Sequence, residues 1–298
     1  MTFGSQADEV TSHAIVQRAL AAGVNFIDTA NGYNAGRSEE IIGRIIQGMR
    51  SSIVLATKVH ARMGEGPNDG GQSRKHIMDA IEASLRRLGT DYVDLYQVHR
   101  FDPETPLEET LRALDDLVHA GKVRYIGCSN YAAWQLGKAL WVSDRYELAR
   151  YDSLQPRYNL ISRAVDVEIL PLCRDQEVGV IAYNPLAGGM LTGKHKRESA
   201  PAPGTRFEAN RNYQNRYWRD VVFDAVDRLR EVVHVTPYTM AQVALAWVLA
   251  QPGITSAILG ATSVQQLEET LPATEIVLSP ELLEQLDDLW QIVGRQEF

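Results

Sequence analysis

This 298-residue chain has little cysteine, only Cys128 and Cys173. Two thiols cannot make a disulfide framework and are too few for a zinc site, so no metal centre is expected and a reducing cytoplasm is the expected compartment. Any run of 18 or more uncharged apolar residues is also missing, which excludes a transmembrane helix. The opening MTFGSQADEV has neither the basic nor the apolar segment of a secretory signal. Positive charge is in short supply: 30 Lys and Arg stand against 38 Asp and Glu, a formal net charge of −8. That balance argues against a nucleic-acid or anionic-membrane partner, and an anionic cofactor would need a local basic site. The dinucleotide fingerprint G-x-G-x-x-G after a strand is absent as well. GGMLTGKH (Gly188–His195) imitates a P-loop, but His195 stands where that motif needs a Ser or Thr hydroxyl, so it is set aside.

What is present is an alternation. Hydrophobic residues make up 45% of the chain, enough for a sizeable core. Strands are expected at Val24–Asp28, Ser52–Lys58, Tyr92–His99, Val123–Asn130, Tyr151–Gln155, Val178–Asn184 and Ile254–Gly260, mostly continuous apolar runs suited to buried parallel strands. Segments of helical period lie between them. One is expected at Asp8–Ala22 and another from Ser73 to Gly89. TPLEETLRALDDLVHAG offers Thr105 as N-cap with Pro106 at the first helical position, Glu108 closing a capping box and Gly121 as the stop. Thr239 with Gln242, and Ser263 with Gln266, repeat the box. Seven β-then-α units in series predict an α/β protein of the (β/α)8 barrel class, a single domain over residues 1–298, with its first strand truncated or missing. Leu191–Tyr217 is polar and bears Pro and Gly; an irregular stretch of that length is functional or disordered.

The carboxyl ends of the expected strands carry polar residues: Asp28, Lys58, His99, Ser129–Asn130, Gln155 and Tyr183. In a barrel these ends share one face, the face that bears active sites. A tyrosine such as Tyr33 is a poor acid at pH 7. A lysine ammonium about 4 Å from its oxygen favours phenolate by roughly 4 kcal/mol at an effective dielectric of about 20. Asp28 would hold Lys58 charged, Tyr33 would donate a proton to a developing alkoxide, and His99 would orient a carbonyl oxygen. No side chain donates hydride, so a cofactor must supply it. ILGATSVQQLEE, where Gly260 ends the last strand and Ser263 opens a helix, suits a phosphate or serves only as a cap.

FIDTANGYNAGRSEEIIG, LATK, GTDYVDLYQVHRFD, IGCSN, LQPRYNLISR, IAYNPLAGGMLTGK, PGTR and ILGATSVQQLEE together resemble the aldo-keto reductases, in order and over essentially the whole chain. The resemblance implies a reductase of small aldehydes or ketones with Tyr33 as general acid and Lys58, Asp28 and His99 completing a tetrad. It implies NADPH as cofactor. Ser129, Asn130 and Gln155 would meet the nicotinamide carboxamide, and Tyr183 would stack on its ring. Leu186, Ala187 and Gly188 would lie at the pyrophosphate, with the basic Lys194 and Arg206 over it. Gly260, Thr262, Ser263, Gln266 and Glu269 would receive the adenosine-phosphate end. Thr262 replaces an arginine that many members set against the 2′-phosphate, so NADH stands as the alternative cofactor. Thr270 stands where an asparagine commonly meets the adenine. The family also has an upstream hairpin and a first strand; this chain begins inside the stretch that follows, so its natural start is expected upstream of Met1.

Single residues have blander readings. His60 reads as a surface-loop histidine, Cys128 as a small core residue, and Trp134, Trp141 and Trp247 as packing between helix and barrel. Tyr217 and Trp218 are pocket wall or packing. Two other functions fit the same residues. One is a nucleotide-binding sensor resembling the β-subunits of voltage-gated potassium channels; the other is an aldolase using Lys58 as a Schiff-base amine. The physiological substrate and the oligomeric state are left open by the sequence.

Overall fold

The apolar runs become seven strands: β1 (Phe26–Asp28), β2 (Val54–Val59), β3 (Val93–Val98), β4 (Val123–Ser129), β5 (Tyr151–Gln155), β6 (Gly179–Ala182) and β7 (Ser256–Ala257). The structure, a computed structural model, describes residues 1–208 and 210–294. Strand order follows chain order and every described pairing is parallel. Each strand is followed by at least one helix, the alternation of the (β/α)8 barrel class. The outer strands are shorter than expected: β1 starts at Phe26, β6 ends at Ala182, and β7 keeps only two residues of Ile254–Gly260. No helix among the described residues is long and apolar enough to cross a membrane.

The described residues gather into two compact units. The first comprises Met1–Gln155, Leu172–Gly179 and Gly260–Val264. It holds β1 to β5, paired in register so that Asp28 lies beside Ala56, Lys58 beside Gln97, and Ser129 beside Gln155. Backbone bonds extend these ladders past the strand ends: Thr29 N–H donates to Ala56 O, Asn31 N–H to Lys58 O, His99 N–H to Val59 O and Asn130 N–H to Gln155 O. The residues after each strand therefore rise side by side from one edge. The helix Arg74–Leu88 begins at Ser73, whose oxygen accepts from His76 N–H, and stops at Gly89 in the left-handed conformation (φ 62°). The helix Leu107–His119 departs from the expected capping box. Its N-cap is Pro106 and makes no side-chain cap bond. Thr105 Oγ1 instead donates to Asp102 Oδ2 (2.9 Å), because Asp102 already organises the preceding loop through Glu104 N–H and Gln72 N–H. On the helix Ala133–Tyr146 the buried face is Leu136, Ala139, Leu140 and Ser143. Trp134 and Trp141 fall on the opposite stripe and are 62% and 55% exposed, so they do not pack under the helix as expected.

The second unit comprises Pro156–Pro171, Val180–Leu259 and the chain from Gln265 on. β6 and β7 pair through Ile181–Ser256 and Ala182–Ala257. The helix Met240–Ala250 starts with the expected capping box, Thr239 and Gln242 exchanging bonds of 3.2 and 3.0 Å. Trp247 on that helix is fully buried against the Tyr158 ring, centroids 5.3 Å apart. The stretch expected to be structureless is partly ordered by its own sequence: a 3-10 turn spans Ala187–Thr192 and a helix spans Arg211–Tyr217, capped by Asn210.

One polar link in the first unit is buried. Glu39, on the helix Arg37–Ile45, is fully enclosed. It accepts from Thr57 Oγ1 on β2 (2.5 Å) and from Arg87 Nε on the helix Arg74–Leu88 (2.7 Å). Close approach of those two helices needs Gly43, where a Cβ would lie 2.5 Å from Arg87 O. Glu39→Ala is expected to lower stability by about 3 kcal/mol, the lower end for breaking a buried ion pair because Arg87 keeps some access to water. A urea midpoint close to wild type would show that the link is dispensable.

Candidate active site

Lys58 is the largest charged side chain in the interior, with no exposed surface. An uncompensated ammonium there would cost several kcal/mol. Its Nζ therefore donates to three oxygens: Asp28 Oδ2, Thr29 O (3.0 Å) and the Tyr33 hydroxyl (3.4 Å). Burial works against the charge, but the Asp28 carboxylate and the Tyr33 oxygen outweigh it and hold the pKa of Lys58 above the ordinary lysine value. The other Asp28 oxygen, Oδ1, accepts from Gln97 Nε2 (3.1 Å) and Gln155 Nε2 (2.9 Å). The carboxylate is thus fixed from β2, β3 and β5.

Tyr33 opens a 3-10 turn in which Asn34 and Ala35 are left-handed (φ 51° each) and Gly36 follows at φ 89°. Asparagine tolerates this region; alanine adopts it at a cost of about 1 kcal/mol or more, so the turn needs outside support. Asn34 Nδ2 supplies it by donating to Met1 O (3.1 Å) and Phe3 O (2.6 Å). The Tyr33 ring meets His99 edge-on, centroids 5.6 Å apart, and lies 5.0 Å from Lys58 Nζ. Burial and then the Lys58 ammonium push the His99 imidazole down to about 3. His99 is therefore neutral at physiological pH and adds no second positive charge beside Lys58. The four expected tetrad residues are therefore in one cluster: a charged amine against a phenol, held by a carboxylate, beside a neutral imidazole.

Three more residues of the first unit adjoin the cluster. Ser129 Oγ donates to Gln155 O (2.7 Å), and Asn130 Nδ2 donates to Ser129 Oγ (2.9 Å) and His99 O (3.0 Å). Asn130 adopts φ 57°, which turns the chain away from β4. The Gln155 amide nitrogen is engaged by Asp28 and by Gln97 Oε1 (3.2 Å). Gln97 was missed by sequence reasoning; it lies near the end of β3, two residues before His99, so period-2 alternation carried one residue past the strand places both on the same face. His60 follows β2 and is half-buried, not a plain surface histidine. Arg100 Nε donates to its Nε2 (2.6 Å), and burial with Arg100 lowers its pKa. Gly260, Thr262 and Ser263 also belong to this unit; Thr2 Oγ1 donates to Ala261 O (3.2 Å) among them. Cys128 and Cys173 are free and buried; burial pushes the Cys128 thiol well above its ordinary value and Cys173 up to about 12, so both are inert core residues.

The remaining expected residues lie in the second unit. Tyr183 N–H donates to Pro156 O and its carbonyl accepts from Tyr158 N–H, which fixes the end of β6. Leu186 caps the 3-10 turn, and Ala187, Gly188 and Gly189 are all left-handed (φ 50°, 70° and 101°). Their N–H groups are taken internally, by Asn184 O, Asn184 Oδ1 and Leu186 O. A Cβ at Gly188 would lie 2.7 Å from the Tyr213 ring, and one at Gly189 would lie 3.3 Å from Lys194 Cε. The bare face of this turn is thus a small cradle beside an ammonium, which fits an anionic group. Arg206 lies over the Tyr213 ring at 5.5 Å. Tyr217 is packing: it is fully buried and its hydroxyl accepts from Asn184 Nδ2 (2.8 Å) and Asn159 Nδ2 (3.3 Å). Gln266 and Glu269 are exposed on the helix Val264–Thr270, whereas Thr270 turns its hydroxyl back to Gln266 O (3.0 Å).

The sequence profile of the aldo/keto reductase family matches residues 1–291, and the chain belongs to that family. It is similar to a protein of Bacillus subtilis (strain 168) named uncharacterized oxidoreductase YrpG: 40% identity, covering 97% of this chain and 90% of the relative. A probable voltage-gated potassium channel subunit beta of Arabidopsis thaliana is 39% identical, covering 98% and 90%. L-glyceraldehyde 3-phosphate reductase of Escherichia coli O157:H7 is 33% identical, covering 94% and 86%.

His99 gives this cluster a pH signature. Its pKa falls from an ordinary 6.5 to about 3 on folding, so between those values the unfolded chain binds the extra proton and stability rises with pH. Stability is lost as pH falls from about 6.5 towards about 3. Denaturant titrations between pH 7 and pH 5 are expected to show a slope that His99→Asn reduces by up to about 1.4 kcal/mol per pH unit. An unchanged slope would mean that His99 is charged in the folded protein.

Proposed function

We propose that this aldo/keto reductase reduces an aldehyde or ketone to an alcohol, with NADPH as cofactor and Tyr33 as general acid. The observation that carries the proposal is the enclosed Lys58 ammonium, which donates to both Asp28 and the Tyr33 hydroxyl. A positive charge at that distance favours the phenolate that remains once the proton has left. Lys58 therefore eases proton transfer from Tyr33 to the carbonyl oxygen. Asp28 keeps Lys58 charged, and Gln97 and Gln155 keep Asp28 in place. His99, being neutral, offers a hydrogen bond to that oxygen without repelling Lys58. When bound, the reduced nicotinamide would supply the hydride that no side chain can.

Residue roles toward the cofactor belong to the same proposal. Ser129, Asn130 and Gln155 are assigned to the carboxamide and Tyr183 to the ring. Leu186, Ala187, Gly188, Lys194 and Arg206 are assigned to the pyrophosphate. Gly260, Thr262, Ser263, Gln266 and Glu269 are assigned to the adenosine-phosphate end. Thr262 brings no charge against a 2′-phosphate, so NADH is the competing cofactor. The free, buried cysteines fit a reducing cytoplasm. A Schiff-base aldolase would need Lys58 neutral, and the Asp28 partner works directly against that.

Tyr33→Phe is expected to bind NADPH almost as wild type does and to lose at least about 100-fold in turnover across a carbonyl panel run with NADPH and NADH in parallel. Undiminished turnover would remove Tyr33 as the acid. A second reading rests on the relatives named as potassium-channel β-subunits: a dinucleotide-binding sensor with little turnover. Mixing the NADPH complex with an aldehyde separates the two readings. Single-turnover oxidation within seconds is expected of a reductase, whereas a nicotinamide absorbance that stays flat points to a sensor.

A further inference from the structure

His195 has no role in the reading above, yet it is buried, whereas the other histidine of the second unit, His234, is exposed. Its imidazole is 7% exposed. Phe207 and Trp218 meet it edge-on at centroid distances of 4.9 and 5.3 Å. Phe207 in turn packs on Trp218 and Tyr213, so the ring's orientation is set by a cluster of aromatics. Its Nε2 is buried and has no hydrogen-bond partner among the described residues. A buried polar nitrogen is costly to leave unpaired, and such an atom in a well-packed site calls for an explanation.

The direction of that nitrogen supplies one. A Cβ placed on Gly189 would lie 3.5 Å from Lys194 Nζ and 3.8 Å from His195 Nε2. Ammonium and imidazole thus converge on the bare face of the left-handed turn. The N–H groups of Ala187, Gly188 and Gly189 are already spent within the turn, so side chains at its face would add donors that these three cannot. Burial and the neighbouring Lys194 ammonium push the imidazole down to about 4, which leaves a neutral ring that carries one N–H. A neutral donor beside a fixed cation can bind an anion without adding charge repulsion to the empty turn.

We infer that His195 is a further dinucleotide-binding residue, donating from Nε2 to a diphosphate oxygen of the cofactor beside Lys194. The inference rests on the proposed dinucleotide dependence and adds to it a residue whose role is confined to the diphosphate.

The test is direct binding, measured by calorimetry on the intact chain. Wild type, His195→Phe and His195→Gln are titrated with NADPH and, separately, with adenosine 2′-monophosphate, which lacks the diphosphate. Phe keeps the aromatic packing and removes the donor; Gln keeps a donor. His195→Phe is expected to weaken NADPH about 10-fold and to leave adenosine 2′-monophosphate unchanged, with His195→Gln intermediate. In wild type labelled with 15N-histidine, NADPH is expected to move the His195 Nε2 resonance. NADPH affinity within about twofold of wild type in His195→Phe overturns the inference, as does equal weakening of both ligands. If neither variant folds, an unmoved Nε2 resonance in wild type overturns it. Wild type that binds neither NADPH nor NADH removes the dinucleotide reading itself, and the inference with it; wild type that binds NADPH while His195→Phe binds it equally removes the inference alone.

Discussion

The enclosed ammonium of Lys58 is the constraint to which the rest of the first unit is fitted. A cation with no access to water is tolerated only where its three protons all find oxygens and where an anion stands beside it. Meeting that condition brings Lys58 of β2 against one short stretch some thirty residues earlier: the Asp28 carboxylate at the end of β1, the Thr29 carbonyl just after it, and the Tyr33 hydroxyl on the following turn. The condition then propagates. Asp28 can serve Lys58 only if its other oxygen is held, which Gln97 and Gln155 do from β3 and β5. The parallel registers that align Asp28 with Ala56 and Lys58 with Gln97 are the geometric prerequisite. A one-residue slip in either pairing would turn these side chains to the opposite face.

The same charge sets the state of its neighbours. His99 is neutral because it is buried and faces Lys58, so the site holds one strong cation and not two. Helix placement follows a similar logic lower down, where the enclosed Glu39 joins β2 to two helices through Thr57 and Arg87. In the second unit the organising groups are different. Three consecutive left-handed residues form a turn that consumes its own N–H groups, and the rings of Phe207 and Trp218 pack on His195 beside it.

Much of the site was legible in the sequence because strand ends are easy to find. Apolar runs that terminate in Asp28, Lys58 and His99 announce a shared face, and the spacing from Asp28 to Tyr33 matches a family pattern. Gln97 was equally legible by alternation and was overlooked because it lies inside the run and not at its end. Thr105 looked like a cap, but Asp102, three residues earlier, competes for its hydroxyl, and such competition between local partners is invisible to a motif. Trp134 and Trp141 were assigned to the core on side-chain type, whereas helical phase puts them on the outer stripe. The burial of His195 depends on rings contributed by residues 207 and 218. No periodicity in the sequence encodes contacts of this kind.

The bonds from Asn34 to Met1 O and Phe3 O carry a consequence of their own. They make the backbone of Met1 and Phe3 a strut for the turn that carries Tyr33. Loss of these bonds would thus loosen the left-handed turn at Asn34 and Ala35, and with it the placement of the Tyr33 hydroxyl. The position of one phenol is therefore coupled to backbone carbonyls some thirty positions earlier in the chain, which an inventory of the clustered side chains would pass over.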